Sequence, residues 1–320
     1  MIELLVVAPC STPVREELLV RFSDRYNIVF ADRKTPGFEE YLAKAEVIIG
    51  QPHPKALPNA TKLRWLQMTW AGVDRYTLRE GFPVGQAVLT NASGAYGPII
   101  SEYVLAGILA HYRNIPAYLR GQQAQQWQDL GREECLEEKT VLILGTGDIG
   151  TNVAKRLQAF GAHPVGIRRS AKPQPYFEAV YAMEQLAELL PQADIVVGCL
   201  PNTPATRGLL NKERLLSMKS EALLVNVGRG SLIVTADLVE VLQDGHLRGA
   251  VLDVVDPEPL PEGHPLWQME QVILTPHISG IGYGHNPATE KRVWQLCFEN
   301  LERYAAGQPL QHVVDLSVGY

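Results

Sequence analysis

The chain has 320 residues, 46% of them hydrophobic and 20% charged, with 27 Gly and 22 Pro. This is an ordinary globular composition on a chain long enough for two domains. The formal charge of −6, from 29 Lys and Arg against 35 Asp and Glu, is spread without any basic block, which argues against a nucleic-acid or membrane partner.

The run Ile2 to Ala8 contains Glu3 and lacks a basic flank, so it reads as a strand and not as a signal peptide. An amphipathic helix is expected around Arg15 to Asp24. Strand-like runs follow at Ile28–Phe30, Val47–Gly50, Trp65–Met68 and Ala87–Thr90. From Ile99 to about Gln128 the spacing predicts one long, mostly polar-faced helix without a sharp stop before Gly131. A second series of six strands is expected at Thr140–Leu144, Pro164–Ile167, Ile195–Leu200, Ala222–Val227, Gly249–Leu252 and Val272–Leu274. Nearly all are apolar and β-branched, as in parallel sheets covered on both faces. A helix over Lys291–Ala306, ending at Gly307, closes the chain. No apolar stretch approaches the roughly 20 residues needed to span a bilayer.

The four cysteines (Cys10, Cys135, Cys199, Cys297) have neither CxxC nor Cys/His spacing, so no metal site is expected. Cys10 and Cys199 end apolar runs and read as buried free thiols, which points to a reducing, cytoplasmic compartment.

The strand Val141–Leu144 runs directly into Gly145-Thr146-Gly147-Asp148-Ile149-Gly150, and a helical pattern with Val153 and Leu157 follows. Between a buried strand and a helix, GxGxxG has a physical task. Gly145 allows the tight turn, Gly147 lets backbone approach a pyrophosphate, and Gly150 lets helix and strand pack closely. The phosphates then face the N–H groups and positive dipole end of the helix.

The end of the next strand selects the cofactor. An NAD enzyme places Asp or Glu there for the ribose hydroxyls. Here Val165-Gly166-Ile167 runs into Arg168-Arg169-Ser170, and the nearest downstream acid is Glu178. Two guanidiniums and a hydroxyl suit a 2′-phosphate. NADP(H) is therefore expected, with NAD(H) as the lesser alternative.

Three later strands end in residues fit for chemistry. Val225-Asn226-Val227-Gly228-Arg229-Gly230 offers an Arg flanked by glycines, able to grip a carboxylate and polarise a neighbouring carbonyl. Leu252-Asp253-Val254-Val255-Asp256-Pro257-Glu258-Pro259 holds Glu258 between two prolines. Thr275-Pro276-His277-Ile278-Ser279-Gly280 presents a His. A carboxylate beside a His orients the ring and favours its protonated form, which makes a general acid/base pair. His264 lies in the loop after Glu258 and is expected to be solvated. His285 competes with His277 but lacks a preceding strand end.

These motifs resemble the D-isomer-specific 2-hydroxyacid dehydrogenases. The resemblance rests on Gly145–Gly150, on Leu200-Pro201-Asn202-Thr203-Pro204-Ala205-Thr206, on Val225–Gly230, on Leu252–Pro261 and on Thr275–Ile278. Upstream, Trp70-Ala71-Gly72-Val73-Asp74 is similar to the family's substrate loop. The branch it looks most like is the NADPH-dependent glyoxylate/hydroxypyruvate reductases.

The resemblance implies two Rossmann-like or flavodoxin-like α/β domains with doubly wound parallel sheets and the active site in the cleft between them. Residues 1–98 and 284–320 would bind substrate, and 99–283 the dinucleotide. It implies hydride transfer between NADP(H) and C2 of a small 2-oxo or 2-hydroxy acid. Arg229 would bind the carboxylate and 2-oxo oxygen, His277 would exchange the proton, and Glu258 would pair with His277. Backbone N–H groups of Ala71, Gly72 and Val73 would hold the carboxylate. Thr146, Asp148 and Ile149 would line the pyrophosphate turn, and Leu200, Pro201 and Thr206 the adenine and ribose side. Val227, Gly228, Asp253, His277 and Gly280 would also contact the cofactor, Val227 and Gly280 on its nicotinamide side, with Asp253 in a supporting role near the active site. The long helix from Ile99 would help form a homodimer.

The chain departs from the family at two places. Arg168 stands where an acid is usual, and Ser279-Gly280 reverses a common Gly-Ser order, which bears on the nicotinamide contact. Trp70, Tyr96 and Tyr283 are candidates for shaping the substrate pocket, with plain packing as the alternative. Two other classes share features of this pattern: a non-catalytic sensor of cofactor redox state, and a methyltransferase, which Arg168-Arg169 fits poorly because such enzymes favour an acid for the ribose hydroxyls.

Overall fold

The computed structural model describes every residue except 78–81, 83–86, 132, 281–285, 318 and 320. The chain divides into two compact units, Met1–Tyr96 with Ile281–Tyr320, and Gly97–Gly280.

The first unit is a five-stranded parallel sheet of β1 (Ile2–Val6), β2 (Tyr26–Phe30), β3 (Val47–Ile49), β4 (Trp65–Gln67) and β5 (Val88–Thr90), in the order β2-β1-β3-β4-β5. This is a flavodoxin-like order. The C-terminal helix Pro287–Ala305 belongs to this unit. Phe298 packs on Phe22 with ring centroids 5.6 Å apart, Tyr304 stacks on Trp65, and the Tyr26 hydroxyl donates to Leu301 O at 2.6 Å. Inside the same packing, Asn300 Nδ2 donates to Gln67 Oε1 at 2.8 Å, while Gln67 Nε2 donates to Met68 O and Asn300 Oδ1 accepts from Gln311 N–H, so both buried amides are satisfied.

The second unit is a seven-stranded parallel sheet: β6 (Thr140–Leu144), β7 (His163–Arg168), β8 (Ala179–Ala182), β9 (Ile195–Gly198), β10 (Leu223–Asn226), β11 (Gly249–Leu252) and β12 (Val272–Leu274). Its order is β12-β11-β10-β9-β6-β7-β8, the doubly wound Rossmann arrangement. Strands β9, β10 and β11 are buried along their whole length, and β6 along all but Thr140, which is why they read as nearly unbroken apolar runs. Helix Asp148–Ala159 buries Gly150, Val153, Ala154 and Leu157 on one stripe.

Several elements differ from the expectations. The single long helix is two, Gly97–Tyr112 and Ile115–Gln123. Asn114 takes a left-handed conformation (φ 52°) between them, and Pro116, without an N–H, can only stand in the first turn of a new helix. The first of these helices is not polar-faced. It buries eight residues, whereas the second buries none. β8 is a seventh strand absent from the expected six; it is a half-buried edge strand of four residues, too short for a clear apolar run. The C-terminal helix starts at Pro287, because the Asn286 side chain accepts from the Ala288 and Thr289 N–H groups. The first helix likewise begins earlier, at Thr12, and a helix over Phe38–Lys44 is additional. All four cysteines are free. Cys10 and Cys199 are only half-buried, and the fully buried thiol is Cys297. No helix among the described residues is long and apolar enough to cross a membrane.

Candidate active site

In the second unit the strand order reverses at β6, which has β7 on one side and β9 on the other. Open α/β sheets bind ligands at such a reversal, beyond the carboxyl ends of the strands. The glycine turn sits there. Gly145 has φ 105°, and a Cβ on it would come within 3.0 Å of Cys199 O. A Cβ on Gly150 would lie 1.9 Å from Gly145 O, a clash with rigid backbone. Around Gly147, the residue before helix Asp148–Ala159, nothing lies within 4 Å of where a Cβ would stand. The turn thus offers bare backbone at a helix N-terminus to open space, which fits a pyrophosphate. Thr146 Oγ1 is buried beside it without a hydrogen-bond partner. The Asp148 carboxylate is turned inward, accepting from Gly97 N–H at 2.7 Å and Asn152 Nδ2 at 3.0 Å, so its charge does not face the cradle. Ile149 is half-buried.

At the end of β7, Arg168 is half-buried, while Arg169 and Ser170 are exposed. The Glu178 carboxylate pairs with His163, at the start of β7. Five residues of strand, about 16 Å, separate that acid pair from Arg168. No carboxylate among the described residues pairs with Arg168.

Beyond β9, the Thr206 hydroxyl is an internal brace for the Leu200–Thr206 loop. It donates to Pro201 O at 2.6 Å and accepts from Thr203 N–H at 2.9 Å. A Cβ on Gly228 would lie 2.7 Å from Leu200 O, so the loops after β9 and β10 touch backbone to backbone. Asn226, fully buried at the end of β10, accepts from Gly228 N–H through Oδ1 and donates to Arg229 O through Nδ2 at 3.0 Å. That amide fixes the loop of Val227 and Arg229. Arg229 Nη1 donates to Gly228 O at 2.8 Å. Gly230 is required because a Cβ there would stand 1.9 Å from Val255 O. The Arg229 loop therefore lies directly against the segment that leads to Glu258.

His277 Nδ1 meets Glu258 Oε2 at 3.0 Å, and Glu258 Oε1 accepts from Val255 N–H. A carboxylate only accepts, so Nδ1 carries the hydrogen and Nε2 is left for a ligand. Both side chains are substantially exposed, 50% for His277 and 39% for Glu258. His277 has φ 56°, an uncommon conformation for a residue with a Cβ. Asp253, by contrast, is 1% exposed. Its carboxylate is taken up by the Thr275 hydroxyl at 2.7 Å and by the Ile278 and Ser279 N–H groups at 2.8 and 2.9 Å. Asp253 thus braces the turn of His277 from within and presents no charge outward. Gly280 is half-buried at the end of that turn. His264 is half-buried, and its Nδ1 accepts from Leu266 N–H.

In the first unit, three consecutive carbonyls of the 69–71 segment are engaged: Thr69 O by the Tyr96 hydroxyl at 2.6 Å, Trp70 O by Ala92 N–H at 3.0 Å, and Ala71 O by Asn91 Nδ2 at 2.9 Å. The N–H groups of Ala71, Gly72 and Val73 have no acceptor among the described residues. Consecutive N–H groups without acceptors are a feature that suits an anion. Tyr96 is buried and serves this clamp, while Trp70 is 40% exposed with the Arg75 guanidinium over its ring. Tyr283 and His285 lie outside the described residues.

Residues 105–279 match a protein family described as D-isomer specific 2-hydroxyacid dehydrogenase, NAD binding domain. The chain belongs to the D-isomer specific 2-hydroxyacid dehydrogenase family. The enzyme is 32% identical over 278 residues to a glyoxylate/hydroxypyruvate reductase A of Serratia proteamaculans, covering 85% of this chain and 87% of that protein. Its fold matches a family member from Aeromonas salmonicida with a TM-score of 0.87 at 35% identity, covering 98% of each chain. It also matches an NADPH-dependent glyoxylate/hydroxypyruvate reductase of Sinorhizobium meliloti, solved with NADP and sulfate, with a TM-score of 0.85 at 27% identity over the whole of both chains. The dehydrogenase is thus an NAD(P)-dependent oxidoreductase, and the methyltransferase reading falls away.

The quoted motifs contain most of the groups that meet in the second unit. Three contributors had not been singled out: Asn226, Thr275 and Tyr103, whose hydroxyl lies 2.6 Å from Thr275 Oγ1. Asn226 and Thr275 stand inside quoted motifs. Tyr103 carries no local signal, being one aromatic residue of a largely buried helix.

Proposed function

We propose that this dehydrogenase reduces small 2-oxo acids of the glyoxylate and hydroxypyruvate kind to D-2-hydroxy acids, with NADPH preferred over NADH. The observation that carries the cofactor preference is Arg168 at the end of β7, free of any carboxylate partner among the described residues and about 16 Å along the strand from the acid pair of His163. The relative from Sinorhizobium meliloti, named NADPH-dependent and solved with NADP, supports the same reading.

The unit Gly97–Gly280 would hold the dinucleotide: Gly145–Gly150 the pyrophosphate, Arg168, Arg169 and Ser170 the 2′-phosphate, Leu200, Pro201 and Thr206 the adenosine side, and Val227, Gly228 and Gly280 the nicotinamide side. The bound nicotinamide supplies hydride to C2. Arg229 grips the substrate carboxylate and draws charge onto the 2-oxo oxygen. His277 Nε2 delivers a proton to that oxygen, and Glu258 holds the ring in the tautomer that allows it. The unit of residues 1–96 and 281–320 would bind substrate, with the Ala71, Gly72 and Val73 N–H groups donating to its carboxylate. Asp253 supports His277 without touching either ligand.

The test is NADPH and NADH oxidation, followed in parallel against glyoxylate, hydroxypyruvate, pyruvate and phenylpyruvate. Faster turnover with NADPH and the smaller acids is the expected result. NADPH binding without turnover of any of these acids would instead favour a redox sensor on the same fold.

A homodimer is part of the proposal. Trp127 is fully exposed, and Ile115, Leu119 and Leu130 stand exposed near it in sequence on the helix Ile115–Gln123 and the segment after it. The segment folds back on its helix, since Leu130 N–H donates to the Tyr118 hydroxyl. Several large apolar side chains exposed together are more than a monomer usually leaves to water. Light scattering should give twice the chain mass, and Leu119→Ser with Trp127→Ser should shift it towards one chain. A monomer in the unaltered protein would remove the dimer from the reading. Four free cysteines fit a cytoplasmic location.

A further inference from the structure

The turn that carries His277 is held by hydrogen bonds that begin on a different element. Tyr103, on the helix Gly97–Tyr112, places its hydroxyl 2.6 Å from Thr275 Oγ1. Thr275 Oγ1 in turn lies 2.7 Å from Asp253 Oδ1. A carboxylate is acceptor-only, so the single Thr275 proton points at Asp253. Tyr103 is therefore the donor to Thr275, and the chain has one direction: Tyr103 to Thr275 to Asp253. Asp253 spends its remaining acceptor capacity on the turn itself, taking Ile278 N–H on Oδ1 and Ser279 N–H on Oδ2, while its backbone carbonyl takes His277 N–H at 2.8 Å.

His277 needs such a brace. Its φ of 56° is costly for a residue with a Cβ and persists only where the surroundings over-determine it. Every backbone N–H from His277 to Ser279 ends on Asp253. The Asp253 carboxylate is buried, so a lost donor cannot be replaced readily by water. Burial raises the Tyr103 pKa, opposed in part by the Thr275 hydrogen bond and assisted by the Asp253 charge, so the phenol keeps its proton across the working range of pH.

We propose that Tyr103 is a positioning residue for the reaction: through Thr275 and Asp253 it holds the left-handed turn that aims the His277 ring at Glu258 and at the substrate oxygen. The catalytic part of this inference rests on the acid–base role proposed for His277; the positioning part does not.

The test uses Tyr103→Phe, which removes one oxygen and keeps the ring that packs in the helix, together with Thr275→Val and Thr275→Ser. Tyr103→Phe should lower kcat about tenfold, with KM for the 2-oxo acid and NADPH affinity within about twofold, because ring aim and not binding is lost. Thr275→Val should cost at least as much, and adding Tyr103→Phe to it should cost nothing further, as expected of two links in one chain. Thr275→Ser keeps the hydroxyl and should recover most of that loss. A readout independent of turnover is the His277 imidazole NMR resonance, identified by its disappearance in His277→Gln. It should shift or broaden in Tyr103→Phe and Thr275→Val, and stay close to its original position in Thr275→Ser.

An unmoved resonance in Tyr103→Phe overturns the positioning role, whatever happens to the rate. Additive losses in the double variant overturn the chain. Raised KM with lowered melting temperature assigns Tyr103 to packing and overturns the proposal too. A moved resonance, with full turnover retained in His277→Ala, leaves the brace standing and removes the acid–base reading instead.

Discussion

His277→Ala is expected to lower kcat about 10³-fold while leaving NADPH affinity unchanged. A positioned general acid contributes roughly 10²–10⁴-fold, and His277 is the only histidine among the described residues whose ring is paired with a carboxylate at a strand end of the second sheet's switch side. The loss should fall on kcat because the ring acts on the oxygen that gains charge in the transition state, and not on a group already charged in the bound acid. Glu258→Gln should cost less, since an amide still holds Nδ1–H through its oxygen but no longer stabilises a protonated ring. Fluorescence titration with NADPH and steady-state rates on the best 2-oxo acid separate the two effects. Turnover surviving in His277→Ala would mean that the proton comes from another group.

The second large effect is on cofactor choice. Arg168→Asp combined with Arg169→Ala should reverse the preference from NADPH to NADH. Two charge-assisted contacts to a 2′-phosphate are worth about 3 kcal/mol, which is roughly two orders of magnitude in relative affinity. Arg168, half-buried at the end of β7, should carry the larger part, because the contact from exposed Arg169 is screened by solvent. The introduced Asp adds repulsion to the phosphate and an acceptor for the ribose hydroxyls, the arrangement expected of an NAD site. The ratio of kcat/KM with NADPH to that with NADH, measured before and after, checks this. An unchanged ratio would remove the 2′-phosphate from Arg168.

Much of the chemistry was legible because it is local. A glycine turn between an apolar strand and a helix is a sequence of adjacent residues, and Gly145 and Gly150 do steric tasks visible in the structure: the Cβ that Gly150 lacks would stand 1.9 Å from Gly145 O. The residues proposed for catalysis could be read for a similar reason. Arg229 and Glu258 follow buried strands and His277 follows the short apolar edge strand β12, and parallel sheets put the ends of all their strands on one edge. Two caps were also written in the chain and were read too late in it: Asn286-Pro287 starts the last helix, and Asn114 before Ile115-Pro116 interrupts the long one.

Other features had no local trace. Asp253 looked like one more acid near the site, and only its partners, 22 to 26 residues away, show a buried carboxylate committed to the His277 turn. Tyr103 reaches Thr275 across 172 residues of sequence, and Asn300 reaches Gln67 across 233. The edge strand Ala179–Ala182, half-buried and four residues long, lacks the continuous apolar run that betrays a central strand. By itself, then, the sequence determined which segments are buried strands, where a dinucleotide turn lies and which side chains stand at strand ends, because period, glycine placement and side-chain type act over a few neighbouring residues. The tertiary structure decided the order of the strands, the pairing of the edge strand Ala179–Ala182 and the hydrogen-bond chain behind His277. Those depend on which distant groups a folded core brings within 3 Å of one another, and no pattern along the chain encodes a partner two hundred residues away.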